Sequence, residues 1–528
     1  MRSAASNGWL MLAGVDNVRA MVESLEGTGV VTRQGPKTGG TIVALPHTLA
    51  GATRLNRLGY PVPGPILTDY EWTGRYAPYK HQRTTADFLT VHPRCIVLSD
   101  MATGKTASSM WAADYLMKAG QVRKVLVLAP LSCLNRVWMD ELFKWVPHRS
   151  GRVLKSSRDR RKRITRETDA EFLILNHDGL QVVAPQLVER GDIDLIIVDE
   201  ASVYRNADTA RYRLFVQVLE ACRARLWMLT GTPTPNAPTD AWALGRLINT
   251  EGTPRRFRQF KDQTMTKITQ FKWVAKPNAK IIVRNILQPG VRFAKSVLDD
   301  MPDTVYIDRE CSMSPKQKQH YETVRKHLIT QAQNDKGDSK IITAVNAAGK
   351  INKLMQICQG SVYAEDGSVV DLPMGDRMDV TCELIDAALS KTIVFVPYRH
   401  VCDRVCAELA ARGYGTAVVH GGVTGSKRDS ALQKFQIDDK TQVLVAHPRT
   451  AAHGLNLQMA STTVWYGPTF STEQWLQANE RMSRTGQVHK MVIARLASME
   501  VELAVYKTVL QNDGRQQAIL KLYEEIFQ

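Results

Sequence analysis

Nine short stretches of the chain are apolar or β-branched at every position. They are Cys95–Leu98, Val125–Leu128, Phe172–Leu175, Leu195–Val198, Leu226–Leu229, Ile393–Val396, Thr416–Val419, Val443–Ala446 and Thr463–Tyr466. Helix-length segments separate them. A strand with one solvated face alternates apolar with polar, so a run that is apolar on both faces is predicted to be a central strand of a parallel sheet covered by helices. The runs fall into two groups, which predicts two α/β lobes over 76–250 and 380–510. Residues 251–379 read as a mainly helical, basic insertion or linker between them. Residues 1–75 are rich in Gly and Pro with weak periodicity and are expected to form a small accessory domain or an arm; 511–528 are expected to be a C-terminal helix. There is no 20–50-residue repeat.

Charge sharpens this picture. The 528 residues carry 69 Lys plus Arg against 52 Asp plus Glu, a net +17, with a pI near 9.5. Such a balance points to an acidic partner such as nucleic acid or an anionic surface. It is not evenly spread: residues 149–166 hold nine bases and one acid, and residues 254–295 hold eleven bases and one acid, Asp262. No apolar run approaches the roughly 18 residues of a membrane helix. The short apolar stretch Gly8–Val15 is closed by Asp16 and Arg19 and lacks a cleavage pattern, so it is not expected to be a signal peptide. The eight cysteines show no Cys-x-x-Cys pair and no zinc spacing, which predicts free, mostly buried thiols in a reducing compartment.

The first run leads directly into Ser99-Asp-Met-Ala-Thr-Gly104-Lys105-Thr106 and then a helical segment. A strand, a Gly-Lys-Thr turn and a helix make a phosphate cradle. Backbone N–H groups of Met101, Ala102, Thr103 and Gly104 surround phosphate oxygens, Lys105 reaches the outer phosphates, and the Thr106 hydroxyl ligates Mg²⁺. The first glycine of Gly-x-x-x-x-Gly-Lys-Thr is absent, Ser99 standing in its place. A second signal supports the first. Leu195-Ile-Ile-Val-Asp199-Glu200 puts two carboxylates at the end of a buried strand, Asp199 suited to hold Mg²⁺ and Glu200 to polarise an attacking water.

From 76 to 510 these and further motifs resemble the superfamily 2 helicase-like motors, and within them the Swi/Snf-like DNA translocases, phage-encoded members most of all. Tyr79-Lys-His-Gln82 is similar to a Q-motif, which implies that Gln82 reads adenine. Ser99–Thr106 resembles the family's Asp-Glu-Met-Gly-x-Gly-Lys-Thr loop, with Ala102 where a glycine is usual. Ala129-Pro-Leu-Ser132 with Trp138 and Glu141, Ile174-Leu-Asn176-His177, Asp199-Glu200-Ala-Ser202 and Thr230-Gly-Thr232-Pro-x-x-Asn236 follow as motifs Ia, Ib, II and III. The series Arg292–Pro302, Met313-Ser-Pro-x-Gln317-x-x-x-Tyr321 and Lys353–Gly360 sets the Swi/Snf type apart from ordinary helicases. Ala446–Leu457, with Arg449, Thr450 and Gly454, resembles motif V, and Gln477-Ala-Asn-Glu-Arg481-Met-Ser-Arg484-Thr-Gly-Gln487 resembles motif VI.

The resemblance implies two tandem RecA-like lobes and a DNA-dependent ATPase using ATP and Mg²⁺. It implies nucleotide contacts from Gly454 and Gln477 as well as the Gly-Lys-Thr loop. Arg481 and Arg484, expected on one helix face, would neutralise charge on the transferred phosphoryl group. Ser132, Asn176 and Thr450 would grip the DNA backbone. Arg449 is either a phosphate contact or a plain surface charge; the stretch with Arg160, Arg161 and Arg163 is either a DNA contact or a solvated helix face. The aromatics Phe257, Phe260, Phe271 and Trp273 among the bases of 254–295 either stack on bases or form the core of a small protrusion. The expected partner is double-stranded or branched DNA, bound by a monomer, in the cytoplasm of a bacterial host if the chain is phage-encoded. A strand-separating helicase on DNA or RNA, a DNA-binding scaffold with a degenerate ATP site, and a restriction-type motor needing a nuclease partner are the rival readings.

Overall fold

The computed structural model describes residues 2–6, 8–14, 21–22, 29–34, 41–231, 233–234, 237–268, 273–297, 302–337, 344–364, 366–423, 425–451, 457–483 and 486–511. The chain forms two compact units. One comprises residues 1–234, 238–267 and 273–297; the other comprises 235–237, 268–272 and 298–528.

The first unit opens with four antiparallel strands, β1 (Arg2–Ser6), β2 (Trp9–Ala13), β3 (Val31–Gln34) and β4 (Thr41–Pro46), in the order β1-β2-β4-β3. Leu10 and Leu12 of β2 and Val43 and Leu45 of β4 are buried, while Trp9 and Met11 face outward. This alternation turns one face of the sheet onto the same core as Ala86, Leu89, Met110 and Trp111. Among the described residues, this sheet and the helix after it therefore pack on the lobe that follows them.

That lobe is built on β5 (Arg94–Val97), β6 (Lys124–Ala129), β7 (Gly151–Val153), β8 (Phe172–Asn176), β9 (Ile193–Asp199) and β10 (Arg225–Leu229). A small antiparallel hairpin, β11 (Met265–Lys267) and β12 (Trp273–Ala275), stands apart from it, and β13 (Gly290–Val291) adds to its edge. The order is β13-β5-β10-β9-β6-β8-β7, parallel throughout. The all-apolar runs have a direct cause here. Val125, Val127, Ile174 and Ile197 point into the core on one face, Leu126, Leu128, Leu175 and Val198 into the core on the other.

The second unit repeats the plan with β14 (Thr304–Glu310), β17 (Lys391–Phe395), β18 (Thr416–Val419), β19 (Val443–Ala446), β20 (Ala460–Trp465) and β21 (Met491–Ala497). Two short strands, β15 (Ser361–Tyr363) and β16 (Val369–Asp371), pair separately. The six-stranded order is β14-β21-β20-β17-β19-β18, again all parallel. The fold is thus two parallel sheets flanked by helices, two RecA-like lobes. A buried ion pair fixes the second: Arg377 meets Glu502 at 2.5 and 3.0 Å and Ser498 Oγ at 2.8 Å, and also donates to the Tyr466 carbonyl.

The stretch 251–379 divides between the units. Up to Val297 it belongs to the first, as helices Phe257–Thr264 and Ala279–Ile286, the hairpin and β13. Beyond, it supplies β14 and helices Pro315–Gly337 and Ala344–Cys358 to the second. Gln317 is buried, and its amide donates to the carbonyls of Ile357 (2.7 Å) and Cys358 (3.0 Å), closing the end of the second helix. Residues 512–528 of the expected C-terminal helix lie outside the described residues.

Candidate nucleotide site and its neighbours

In an open parallel sheet, loops at the carboxyl ends of the strands gather functional groups. Here β5 feeds the loop 98–104, and Gly104 (φ 78°, ψ 31°) turns it into the helix Lys105–Lys118. A side chain at Gly104 is disfavoured by its φ of 78°, and a Cβ there would lie 2.1 Å from Gln82 Nε2, so the Gln82 side chain would have to move. Gln82 is itself fixed, its Oε1 accepting from the N–H of Tyr79 at 3.0 Å. His81 Nε2 sits 3.0 Å from the Thr103 carbonyl, and the Thr103 hydroxyl donates to the Asp100 carbonyl at 2.8 Å. Lys105 Nζ donates to the carbonyls of Ser99 (2.7 Å) and Asp100 (2.8 Å), so the ammonium lies inside the loop. Ala102 adopts φ 65°, a left-handed backbone that disfavours a side chain. Met101 lies beside the end of β10: a Cβ on Gly231 would be 3.8 Å from its Cγ.

Asp199 ends β9, two strands from β5, about 10 Å away at normal strand spacing. Its Oδ1 accepts from the N–H of Glu200, which is also left-handed (φ 54°, ψ 54°). Its Oδ2 accepts from Trp138 Nε1 at 2.9 Å. The loop, a lysine inside it, the Thr106 hydroxyl at the helix start and a carboxylate at the facing strand end are a donor set that fits a triphosphate with Mg²⁺.

Two partners of this site were not read from the sequence. One is Trp138, noted within its motif without a role. The other is the segment after the cis Gln288–Pro289 bond. The N–H of Phe293 donates to Ser99 Oγ (3.0 Å), the N–H of Asp100 donates to the Phe293 carbonyl (2.9 Å), and the N–H of Lys295 donates to Asp100 Oδ2 (3.0 Å). Arg292 lies 3.6 Å from Asp100 Oδ1. Ser99, at the position of the missing glycine, therefore ties the loop to its edge strand.

On the same edge of the sheet, Ser132 sits half-buried in a 3-10 turn after β6, and Asn176 ends β8. The helix Arg158–Glu167 leads from β7 toward β8. Arg160 and Arg163 are exposed, Arg163 only 3.9 Å from Glu167. Arg161 is half-buried, donates to the Ser156 carbonyl (3.3 Å) and lies against Gly179. It is the member of the trio held by the protein itself.

In the second unit, Arg449 is exposed and Thr450 half-buried in the short helix Pro448–Ala451. The Arg449 N–H donates to His447 Nδ1 at 3.2 Å; burial pushes His447 below the usual histidine range and keeps that nitrogen an acceptor. Gln477 is buried and donates to Glu473 Oε1 at 3.3 Å. The expected helical placement is corrected for Arg481 itself: the helix Thr472–Asn479 ends before it, and Arg481 is buried in the turn that follows. After that turn the Gln487 amide donates to the carbonyls of Gln458, Ala460 and Met482, holding the chain beside the start of β20. Thr232, Asn236, Phe271, Gly454 and Arg484 lie outside the described residues.

Fold and site together define a two-lobed, helicase-like ATPase core. The description "SNF2-related domain" matches residues 45–361, and "Helicase conserved C-terminal domain" matches residues 376–486. The chain belongs to the SNF2-related family. It is similar to the nuclear protein STH1/NPS1 of Saccharomyces cerevisiae (26% identity, 80% of this chain, 33% of that one). It is also similar to the putative protein p41 of Acyrthosiphon pisum secondary endosymbiont phage 1 (24%, 78% and 90%). The chain thus spans a third of the yeast protein and nine-tenths of the phage one. The Sulfolobus solfataricus SWI2/SNF2 ATPase core in complex with dsDNA aligns at 20% identity over 86% of this chain and 97% of that one, with a TM-score of 0.39.

Proposed function

We propose that this chain is an ATP-driven motor that moves along double-stranded DNA. The observation that carries the reading is one sheet edge holding Lys105 within a left-handed Gly104 loop and Asp199-Glu200 two strands away, in a chain of the SNF2-related family. In this reading Lys105 leaves its two carbonyls for the outer phosphates, Thr106 and Asp199 hold Mg²⁺, and Glu200 orients the attacking water. Mg²⁺, when bound, neutralises charge on the phosphates. Arg481 supplies a further positive charge for phosphoryl transfer. Ser132, Asn176, Thr450, Arg449, Arg160 and Arg163 contact DNA phosphates, which makes binding sequence-tolerant and salt-sensitive. The N-terminal sheet is the module proposed to favour forked or four-way DNA.

ATP hydrolysis measured with duplex, single-stranded, forked and four-way DNA and with RNA tests this. Wild type should be stimulated by duplex-containing DNA. Lys105→Ala should lose at least about 100-fold, the scale of removing one charge-stabilising group, and Arg481→Ala a comparable amount. Wild type without hydrolysis on any DNA would exclude the motor and leave a scaffold.

A further inference from the structure

The chain after β6 does not turn into an ordinary helix. Leu131–Cys133 form a 3-10 turn, and Leu134–Met139 continue as a π-helix, with the Asp140 N–H donating to the Asn135 carbonyl five residues back. A π-turn, with its i→i+5 hydrogen bond, is rare and frequent at functional sites. Here it carries Trp138. Its ring is fully buried, and its Nε1 donates to Asp199 Oδ2 at 2.9 Å. The sheet makes this meeting possible: β6 and β9 are parallel neighbours with Leu128 opposite Val198, so the segment leaving β6 passes over the end of β9.

A buried indole N–H needs an acceptor; Trp111, Trp227 and Trp242 use backbone carbonyls, and Trp145 and Trp465 use side-chain oxygens of Glu141 and Asn479. Trp138 places its hydrogen bond on the carboxylate proposed to hold the metal. With Oδ1 accepting from the Glu200 N–H and Oδ2 from the indole, the carboxylate plane is set from two sides.

We infer that Trp138 is a positioning residue for nucleotide-bound Mg²⁺, orienting Asp199 through Oδ2. The inference rests on the proposed assignment of Asp199 as a metal-holding residue. Partners of metal-ligating groups fix their orientation, and losing one costs about 10–100-fold in metal affinity.

The test is equilibrium binding of a fluorescent ATP analogue by the full chain, titrated with and without Mg²⁺. Trp138→Phe should raise the Mg²⁺ concentration for half-maximal tightening about 10-fold or more, with metal-free nucleotide affinity within about 2-fold of wild type. In an Asp199→Asn background, Trp138→Phe should add no further change, because its effect runs through that carboxylate. Replacing Trp138 by 3-benzothienylalanine keeps the bicyclic ring and removes only the N–H; it serves if Trp138→Phe does not fold, and should give the same shift. A Mg²⁺ response equal to wild type with this isostere would overturn the inference, as would an equal shift in the Asp199→Asn background. Failure of wild type to bind the analogue at all would instead sink the ATPase reading on which the inference rests.

Discussion

At Gly104 and Ala102 the phosphate loop carries two left-handed residues only two apart. Gly104 adopts this conformation freely, while Ala102 does so at a cost of about 1 kcal/mol. The loop keeps its shape without the usual glycine because Lys105, Thr103 and His81 all bond to its backbone. Asp87, outside the loop, is a buried carboxyl whose Oδ1 accepts from the Gly64 N–H at 2.7 Å. Burial pushes its pKa up to about 7, and that hydrogen bond only partly offsets the shift. Its folded pKa exceeds the unfolded one, so the folded chain keeps a proton that the unfolded chain releases. Stability is therefore fully present below about pH 4 and is lost as pH rises to about 7. Asp87→Asn should remove this slope and stabilise the protein above pH 7 by at most about 4 kcal/mol. Denaturant unfolding from pH 5 to 8 checks it: the gap between variant and wild type should widen with pH, and a constant gap would contradict the assignment.

Among the elements, strands apolar along their length were legible, edge strand β18 included, while most edges and the interior strand β21, which carries Arg495, were not. β5, β6, β8, β9, β10 and β17 to β20 are apolar on both faces, which leaves a local mark. β14 is an edge strand with Tyr306 exposed, and it pairs with β21, which follows it by more than 180 residues. β13 has two residues, and β2 and β4 are buried on one face only. Such strands are made by tertiary pairing rather than by their own pattern. The Gly-Lys-Thr loop and Asp199-Glu200 were readable because their chemistry is contiguous. The bonds from Trp138 and Phe293 cross 61 and 194 residues, and no spacing encodes them. The Phe293 bond yields its own prediction. Ser99→Ala leaves that N–H without its side-chain acceptor, should lower stability by about 1 kcal/mol, and should weaken ATP binding more than DNA binding. Paired ATP and DNA titrations of the variant check it; equal weakening of both would contradict a local role.

For the whole molecule the charge is concentrated. The stretches 149–166 and 254–295 contribute +8 and +10, leaving the rest of the chain at −1. Elsewhere, cations are neutralised in place, as Arg123 is by Asp194 and Arg377 by Glu502. Arg255, Arg256 and Arg258 are exposed and form no ion pair among the described residues. Within the same stretch Phe260 is core and Trp273 lies under Lys261 at 3.8 Å, an arrangement in which these aromatics support the bases. Replacing the three arginines by alanine should weaken duplex binding and flatten the log K against log[salt] slope by up to about 2.7, with DNA-free ATPase unchanged. An unchanged slope would make this an ordinary basic surface. The central claim is movement along duplex driven by ATP, and release of a third strand from a triplex ahead of the motor reads it most directly. Wild type with ATP should displace the third strand while the underlying duplex stays paired, and Lys105→Ala or ADP should not. Duplex-stimulated hydrolysis without third-strand release, or release that requires unwinding of the duplex, would contradict the account.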